Sequence, residues 1–185
     1  MGLNGKYPPL LVIGVLTVIL AAPRGASAQG SWTDWWWSGG IHAAHGTGVY
    51  SVDNTTLGGQ INLQPSTAVL LSAGVARVID NDAVPEASVT GTHGFFLTRV
   101  SPFQPVWHVG LGIVMIAEAF VRPREAFGDL RSDREGFGTL LTTGLRFPIG
   151  RVRPFAEIRY AALFQRDSAE WSIAAGVDVW AVPMF

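Results

Sequence analysis

The chain has 185 residues, a formal net charge of −1 and a mean hydropathy of +0.28. This length suits one domain, and a hydrophobic share of 48% is too high for a disordered chain. The lack of a basic block excludes the electrostatic footprint of a nucleic-acid-binding protein. Because the chain has no cysteine, disulfides, thiolate metal sites and cysteine nucleophiles are excluded.

The N-terminal segment has the three parts of a secretory signal. Lys6 supplies the positive charge, an unbroken apolar run extends from Leu10 to Ala22, and Ala26-Ser27-Ala28 forms an A-x-A cleavage site. The alternative is a membrane anchor, but this run of 13 residues is shorter than the roughly 20 that a spanning helix needs. We therefore predict that residues 1–28 are a signal peptide, cleaved between Ala28 and Gln29, and that the protein is exported.

Residues 29–185 alternate between apolar side chains and small or polar ones, in segments of about ten residues, which is the pattern of a transmembrane β-strand. No sustained three-to-four-residue apolar spacing indicates an amphipathic helix. The sequence thus predicts a single all-β domain, a transmembrane antiparallel up-and-down β-barrel of eight strands. The predicted strands are Ser38–Ala44, Leu57–Leu63, Ala68–Val78, Ser88–Arg99, Trp107–Ala119, Phe137–Phe147, Val152–Phe164 and Trp171–Val179.

The connections between these strands are expected to alternate in character. Compact turns are predicted at 64–66, 101–105 and 148–151, and longer charged connections at 46–56, 80–86, 122–135 and 165–170. With an even strand count both termini lie at the end that carries the short turns, which in membrane barrels faces the periplasm. The longer connections are then expected to face outward.

A soluble β-sandwich or a lipocalin-like barrel is the alternative, because such folds also alternate and can carry a signal. Two features favour the membrane barrel. The apolar rows continue for five to seven positions without a polar residue, as in Val152 to Phe164. Aromatic residues also gather near segment ends, where interfacial girdles form: Trp35, Trp36, Trp37, Phe95, Phe96, Trp107, Phe120, Phe147, Phe164, Trp171 and Trp180.

The last part of the chain resembles the small outer-membrane barrels of the OmpA, OmpX and OmpW types, in segments 144–150, 153–160 and 175–180 and in the terminal Phe185. The resemblance implies a location in the bacterial outer membrane, with lipid and lipopolysaccharide as partners. It implies that the barrel-assembly machinery reads Phe185 and that periplasmic chaperones escort the chain. It further implies a structural or surface-interaction role in the cell envelope, or porin-like passage of small hydrophobic solutes for the OmpW type.

Five charged residues fall on the rows assigned to the barrel interior: Glu118, Arg146, Glu157, Arg159 and Asp178. An isolated charge in a low dielectric is costly, so such residues must pair or stay hydrated. Since eight strands leave an interior just wide enough for side chains, we predict a salt-bridge network that plugs the lumen. The alternative is a gated polar path for a small solute.

The chain offers little that indicates catalysis or metal binding. The spacing of His42 and His45 places the two imidazoles on opposite faces of a strand, as it does for the neighbours Thr92 and His93. We therefore expect no metal, no cofactor and no enzymatic activity, with a lipid-modifying enzyme as the alternative. The segment 122–135 mixes both charges densely, which fits either lipopolysaccharide contact or a recognition surface.

Overall fold

The computed structural model describes residues 36–47, 53–66, 68–81, 88–101, 106–122, 130–164 and 168–181. The predicted signal peptide with its Ala28–Gln29 cleavage site and the predicted assembly signal Phe185 lie outside these residues. Within them, no helix is long and apolar enough to span a membrane.

Eight antiparallel strands form a closed barrel in which each strand pairs with its neighbours along the chain and the last pairs with the first. This confirms the predicted up-and-down architecture. The strands are β1 (Trp36–Thr47), β2 (Asp53–Ser66), β3 (Val69–Asn81), β4 (Ser88–Val100), β5 (Trp107–Arg122), β6 (Leu130–Arg146), β7 (Val152–Leu163) and β8 (Ser168–Trp180).

The strands are strongly staggered. Following directly paired residues around the barrel from Trp37 leads through Leu71 and Leu141 to Trp171, whose partner on β1 is Thr47. The circuit therefore closes ten residues farther along β1 than it began. A stagger of this kind tilts the strands by about 40° from the barrel axis and, with eight strands, leaves an interior that side chains can fill.

The connections at the two ends of the barrel are similar in length. Connections 67–68, 101–106 and 147–151 define the turn end, and 48–52, 82–87, 123–129 and 164–167 define the loop end. The predicted long loops are wrong in extent, most clearly at 122–135, because β6 already begins at Leu130. Paired backbone hydrogen bonds continue the β5–β6 hairpin through this polar stretch, which lacks only the apolar row of a membrane strand.

The outer wall carries a continuous apolar belt. Large hydrophobic side chains on every strand are solvent-exposed, with Ile41 at 68% and Ile173 at 66%. Aromatic residues on this face include Trp37 and Trp107 toward the turn end and Trp171 and Phe164 toward the loop end. Phe95 and Trp180, expected in the girdles, instead point into the barrel, because each lies on the inward row of its strand. So large an exposed apolar surface requires a lipid environment.

Candidate functional site

Ten polar side chains form one connected network inside the barrel, and every strand contributes at least one of them. The members, here called the lumen network, are Ser38, Gln60, Asn62, Ser72, Arg99, His108, Arg146, Glu157, Arg159 and Asp178. All ten are buried. A buried polar network stabilises a fold only when its members satisfy one another, so its contacts decide what the lumen can do.

Glu157 on β7 is one centre of the lumen network. Its two carboxylate oxygens accept hydrogen bonds from Arg99 Nε and Nη2 at 3.0 and 2.9 Å. Arg159 donates from Nε to Glu157 Oε1 at 2.8 Å, and its Nη2 atom lies 2.7 Å from the same Oε1 atom. The Nε2 atom of His108 is 3.2 Å from Glu157 Oε2. One carboxylate thus holds two guanidinium groups in fixed positions, the strong charge-assisted form of hydrogen bond.

Asp178 on β8 is the second centre. Its Oδ1 atom accepts hydrogen bonds from Gln60 Nε2 at 2.7 Å and Asn62 Nδ2 at 2.9 Å, and its Oδ2 atom lies 3.2 Å from Arg146 Nη2. Gly40 on the adjacent strand β1 makes room for this carboxylate, since a Cβ atom there would overlap Asp178 Oδ1. The glycine is therefore required by the close approach of a charged group.

Ser72 joins the two centres. Its hydroxyl accepts a hydrogen bond from Arg99 Nη1 at 2.5 Å and donates to Asn62 Oδ1 at 2.6 Å. Asn62 in turn donates to Ser38 at 2.9 Å as well as to Asp178. The lumen network is therefore a single cross-linked layer, and removing a charged member disturbs contacts on several strands.

An apolar layer lies next to the lumen network on its loop-end side. It consists of Phe95, Leu97, Val114, Ile116, Leu140, Ala161 and Leu163, all buried. Phe95 links the two layers, because the Arg159 guanidinium lies 5.1 Å from its ring centroid and His42 meets it edge-on at 5.6 Å. The barrel interior is thus divided into a charged part and an apolar part.

The described residues of this interior line two small cavities. One of about 60 Å³ lies on the loop-end side, lined in part by His93, Phe95 and Leu140. A second of about 40 Å³ lies at the turn end, against Arg99, Arg146 and Arg153. The described interior also contains side chains that are less than 2% exposed, among them Arg99, Leu97 and Glu157.

The structure brings four of the five predicted lumen residues together and separates the fifth. Arg146, Glu157, Arg159 and Asp178 belong to the lumen network. Glu118 lies nearer the loop end, where its Oε1 atom is 2.6 Å from His93 Nε2.

Sequence reasoning missed the members of the lumen network on β1 to β5, above all Arg99 and His108. Arg99 is the last inward-facing residue of β4, after Phe95 and Leu97, so the alternation pattern did not identify this face as polar. His42 and His45 lie on opposite faces of β1, as their spacing predicts. His42 points inward and is fully buried. His45 points outward, with its Nδ1 atom 3.0 Å from Thr55 Oγ1.

Comparison with known proteins shows similarity in structure alone. No protein-family model and no curated protein matches the sequence. Among solved structures, Neisserial surface protein A has a TM-score of 0.55 at 13% identity, covering 78% of this chain and 96% of that one. The N-terminal barrel of Pseudomonas aeruginosa OprF gives 0.53 at 15% identity, covering 78% and 97%.

Ail, the attachment invasion locus protein of Yersinia pestis, gives a TM-score of 0.53 at 11% identity, covering 80% of this chain and 97% of that one. It is also known in complex with the heparin analogue sucrose octasulfate. The fold is that of the small outer-membrane β-barrels. Closed antiparallel barrels with an even strand number and an apolar outer belt are the architecture of the bacterial outer membrane. The predicted fold class and location are confirmed.

Proposed function

We propose that this protein is a non-conducting outer-membrane barrel that acts through its structure and its exposed surface, without enzymatic activity. The observation that carries the proposal is the lumen network, which takes side chains from all eight strands and leaves them buried across the interior. A solute could pass only by displacing Arg99, Glu157 or Asp178. A buried charge left without its partner costs about 3–5 kcal/mol, so such a displacement is strongly disfavoured.

The loop end supplies the surface for this role. β5 and β6 have 16 and 17 residues, whereas a membrane-crossing strand needs about 9–11. The excess lies at the loop end, where the hairpin carries the exposed side chains Asp133 and Glu135. The loop-end connections contain five acidic residues against two arginines: Asp82, Glu86, Glu125, Asp129 and Asp167, with Arg124 and Arg166.

This charge balance favours particular partners. A surplus of acids repels a polyanion such as the sulfated ligand bound by Ail, and it favours a partner with a basic surface. Above the belt, Thr90 and Thr92 face outward beside Arg77. We propose that this rim, which also carries the carboxylates of Asp133 and Glu135, meets the lipopolysaccharide head groups, with Arg77 as the group that binds their phosphates. Phe185 remains the proposed signal to the assembly machinery, with chaperone escort through the periplasm.

Planar-bilayer conductance tests the closed lumen. We expect no current steps from the wild-type barrel, and steps from the double variant Arg99→Ala/Glu157→Ala, which removes the pair that spans the lumen. Arg77→Ala/Glu135→Ala is the matched control, because it removes one positive and one negative group from the exposed outer wall. Steps from the wild type would contradict the proposal and favour a narrow channel for small solutes.

Site-specific labelling tests the orientation of the barrel. Because the chain has no cysteine, an introduced cysteine is the single site that a maleimide can label. Ala126→Cys lies in the 123–129 connection at the loop end, and Arg151→Cys lies in the 147–151 turn. On intact cells a membrane-impermeant maleimide should label the first variant and not the second. The reverse result would place the acidic end in the periplasm.

The mass of lipid A from cells that express the protein tests the absence of enzymatic activity. We expect this mass to be unchanged, and a changed mass would favour the lipid-modifying enzyme.

A further inference from the structure

The turn end of the lumen contains a small cavity with an unusual lining. It has a volume of about 40 Å³ and is bordered by Arg99, Arg146, Arg153, His108, Gln64 and Ser101. A cavity needs about 10–15 Å³ to hold one water, so this one has room for a group of roughly three waters' size. Its polar wall is made of hydrogen-bond donors more than acceptors, because guanidinium groups cannot accept.

Positive charge exceeds negative charge around this cavity. Four guanidinium groups belong to its wall or to the lumen network behind it, those of Arg99, Arg146, Arg153 and Arg159. Among the described residues, the carboxylates in the same half of the barrel are those of Glu157 and Asp178. The remaining described carboxylates lie toward the loop end. Uncompensated charge in a low-dielectric interior is costly, so this excess favours a counter-charge over water alone beside the arginines.

Several donors beside the cavity have no partner in the part of the chain that the structure describes. Arg146 has a side chain that is only 9% exposed, and its Nε atom makes no hydrogen bond. The Nε atom of Arg153 is likewise unsatisfied, although its Nη1 donates to Gln64 Oε1 at 3.1 Å and its guanidinium lies 4.3 Å from the Trp180 ring centroid. Buried donors without acceptors are rare, and each calls for an acceptor from outside the chain.

We propose that this cavity binds one small inorganic anion, of chloride to phosphate size, between Arg146 and Arg153. The anion accepts the hydrogen bonds that the two Nε groups lack and neutralises part of the positive excess. It is a structural counter-ion for the turn end of the barrel. An anion that binds the folded barrel and not the unfolded chain raises stability in a saturable way.

The experiment uses the refolded full-length barrel in neutral lipid vesicles and measures the urea midpoint of unfolding. Sodium gluconate, whose anion is too large for the cavity, is replaced stepwise by sodium chloride or, separately, by sodium phosphate at constant ionic strength. Arg153→Gln removes one proposed ligand. Arg151→Gln is the matched control, because Arg151 is an exposed arginine two residues away that does not line the cavity.

For the wild type and Arg151→Gln, we expect the midpoint to rise and then saturate with chloride or phosphate, and the anion that acts identifies the ligand size. For Arg153→Gln the rise should be lost. No rise in the wild type, or an equal rise in Arg153→Gln, would overturn the proposal. If Arg153→Gln does not refold, NMR of the two anions with the wild type decides: saturable line broadening of chloride or of phosphate supports the site, and broadening of neither overturns it.

Discussion

Arg99 on β4 and Glu157 on β7 form a two-point ion pair inside the barrel, although their strands are not neighbours. The pair connects the two halves of the wall independently of the backbone ladder. It also fixes Arg99 Nη1 on Ser72, and through Ser72 the pair is coupled to the Asp178 centre. The first prediction follows from this coupling.

Glu157→Gln should lower the free energy of unfolding by about 3–5 kcal/mol, because it leaves Arg99 and Arg159 buried without their counter-charge. Urea unfolding in lipid vesicles measures the change. Glu135→Gln, the same substitution at an exposed position on the outer wall, should change stability by no more than about 0.5 kcal/mol. Equal effects of the two substitutions would show that Glu157 is not a structural centre.

Gly40 and Gly39 offer a test in which the same methyl group is added to opposite faces of one strand. A Cβ atom on Gly40 would overlap Asp178 Oδ1, whereas one on Gly39 meets nothing within 4 Å. We expect Gly40→Ala to destabilise the barrel by about 1–3 kcal/mol, the usual cost of overpacking. Gly39→Ala should be neutral or slightly stabilising. Equal unfolding midpoints would contradict the packing of Asp178 against β1.

The alternation of side chains was enough to predict the barrel, and it worked best on β5 to β8. Period-two alternation assigns a residue to a face regardless of its neighbours, so Arg146, Glu157 and Asp178 could be placed inside from the sequence. Which inward residues meet could not be predicted. Contacts across the lumen depend on the ten-residue stagger and on shifts such as the one between Leu63 and Ser66, which no single strand encodes.

Strand ends at the loop end were also beyond sequence patterning. Segments such as 130–135 lack an apolar row because they lie above the apolar belt. They are recognised as strand only by their backbone pairing with β5, which the sequence pattern does not show. Phe95 shows the converse limit. An aromatic residue near a segment end suits either a membrane girdle or a packed interior. Phe95 lies in the interior, where its ring packs against Gly74, a position at which a Cβ atom would overlap the ring.

The outer belt predicts a depth-dependent cost for a charge facing lipid. Ile158→Arg lies on the outer face six residues along β7 from Val152, near the middle of the belt. It should destabilise the barrel by about 2–4 kcal/mol in lipid vesicles, and Val152→Arg at the turn-end border by about 0–1 kcal/mol. Urea titrations of both variants test this. Equal small costs would argue that the wall faces water.

The central claim, a closed barrel whose outer wall faces lipid, is tested most directly by heat-modifiability of the membrane-extracted protein. Samples from the outer-membrane fraction are run on SDS gels with and without boiling, and the N-terminus of the same band is sequenced. We predict a faster-moving unboiled band that shifts on boiling, beginning at Gln29. Recovery of the protein in the soluble periplasm, with no shift on boiling, would contradict the lipid-facing wall and favour a water-soluble barrel.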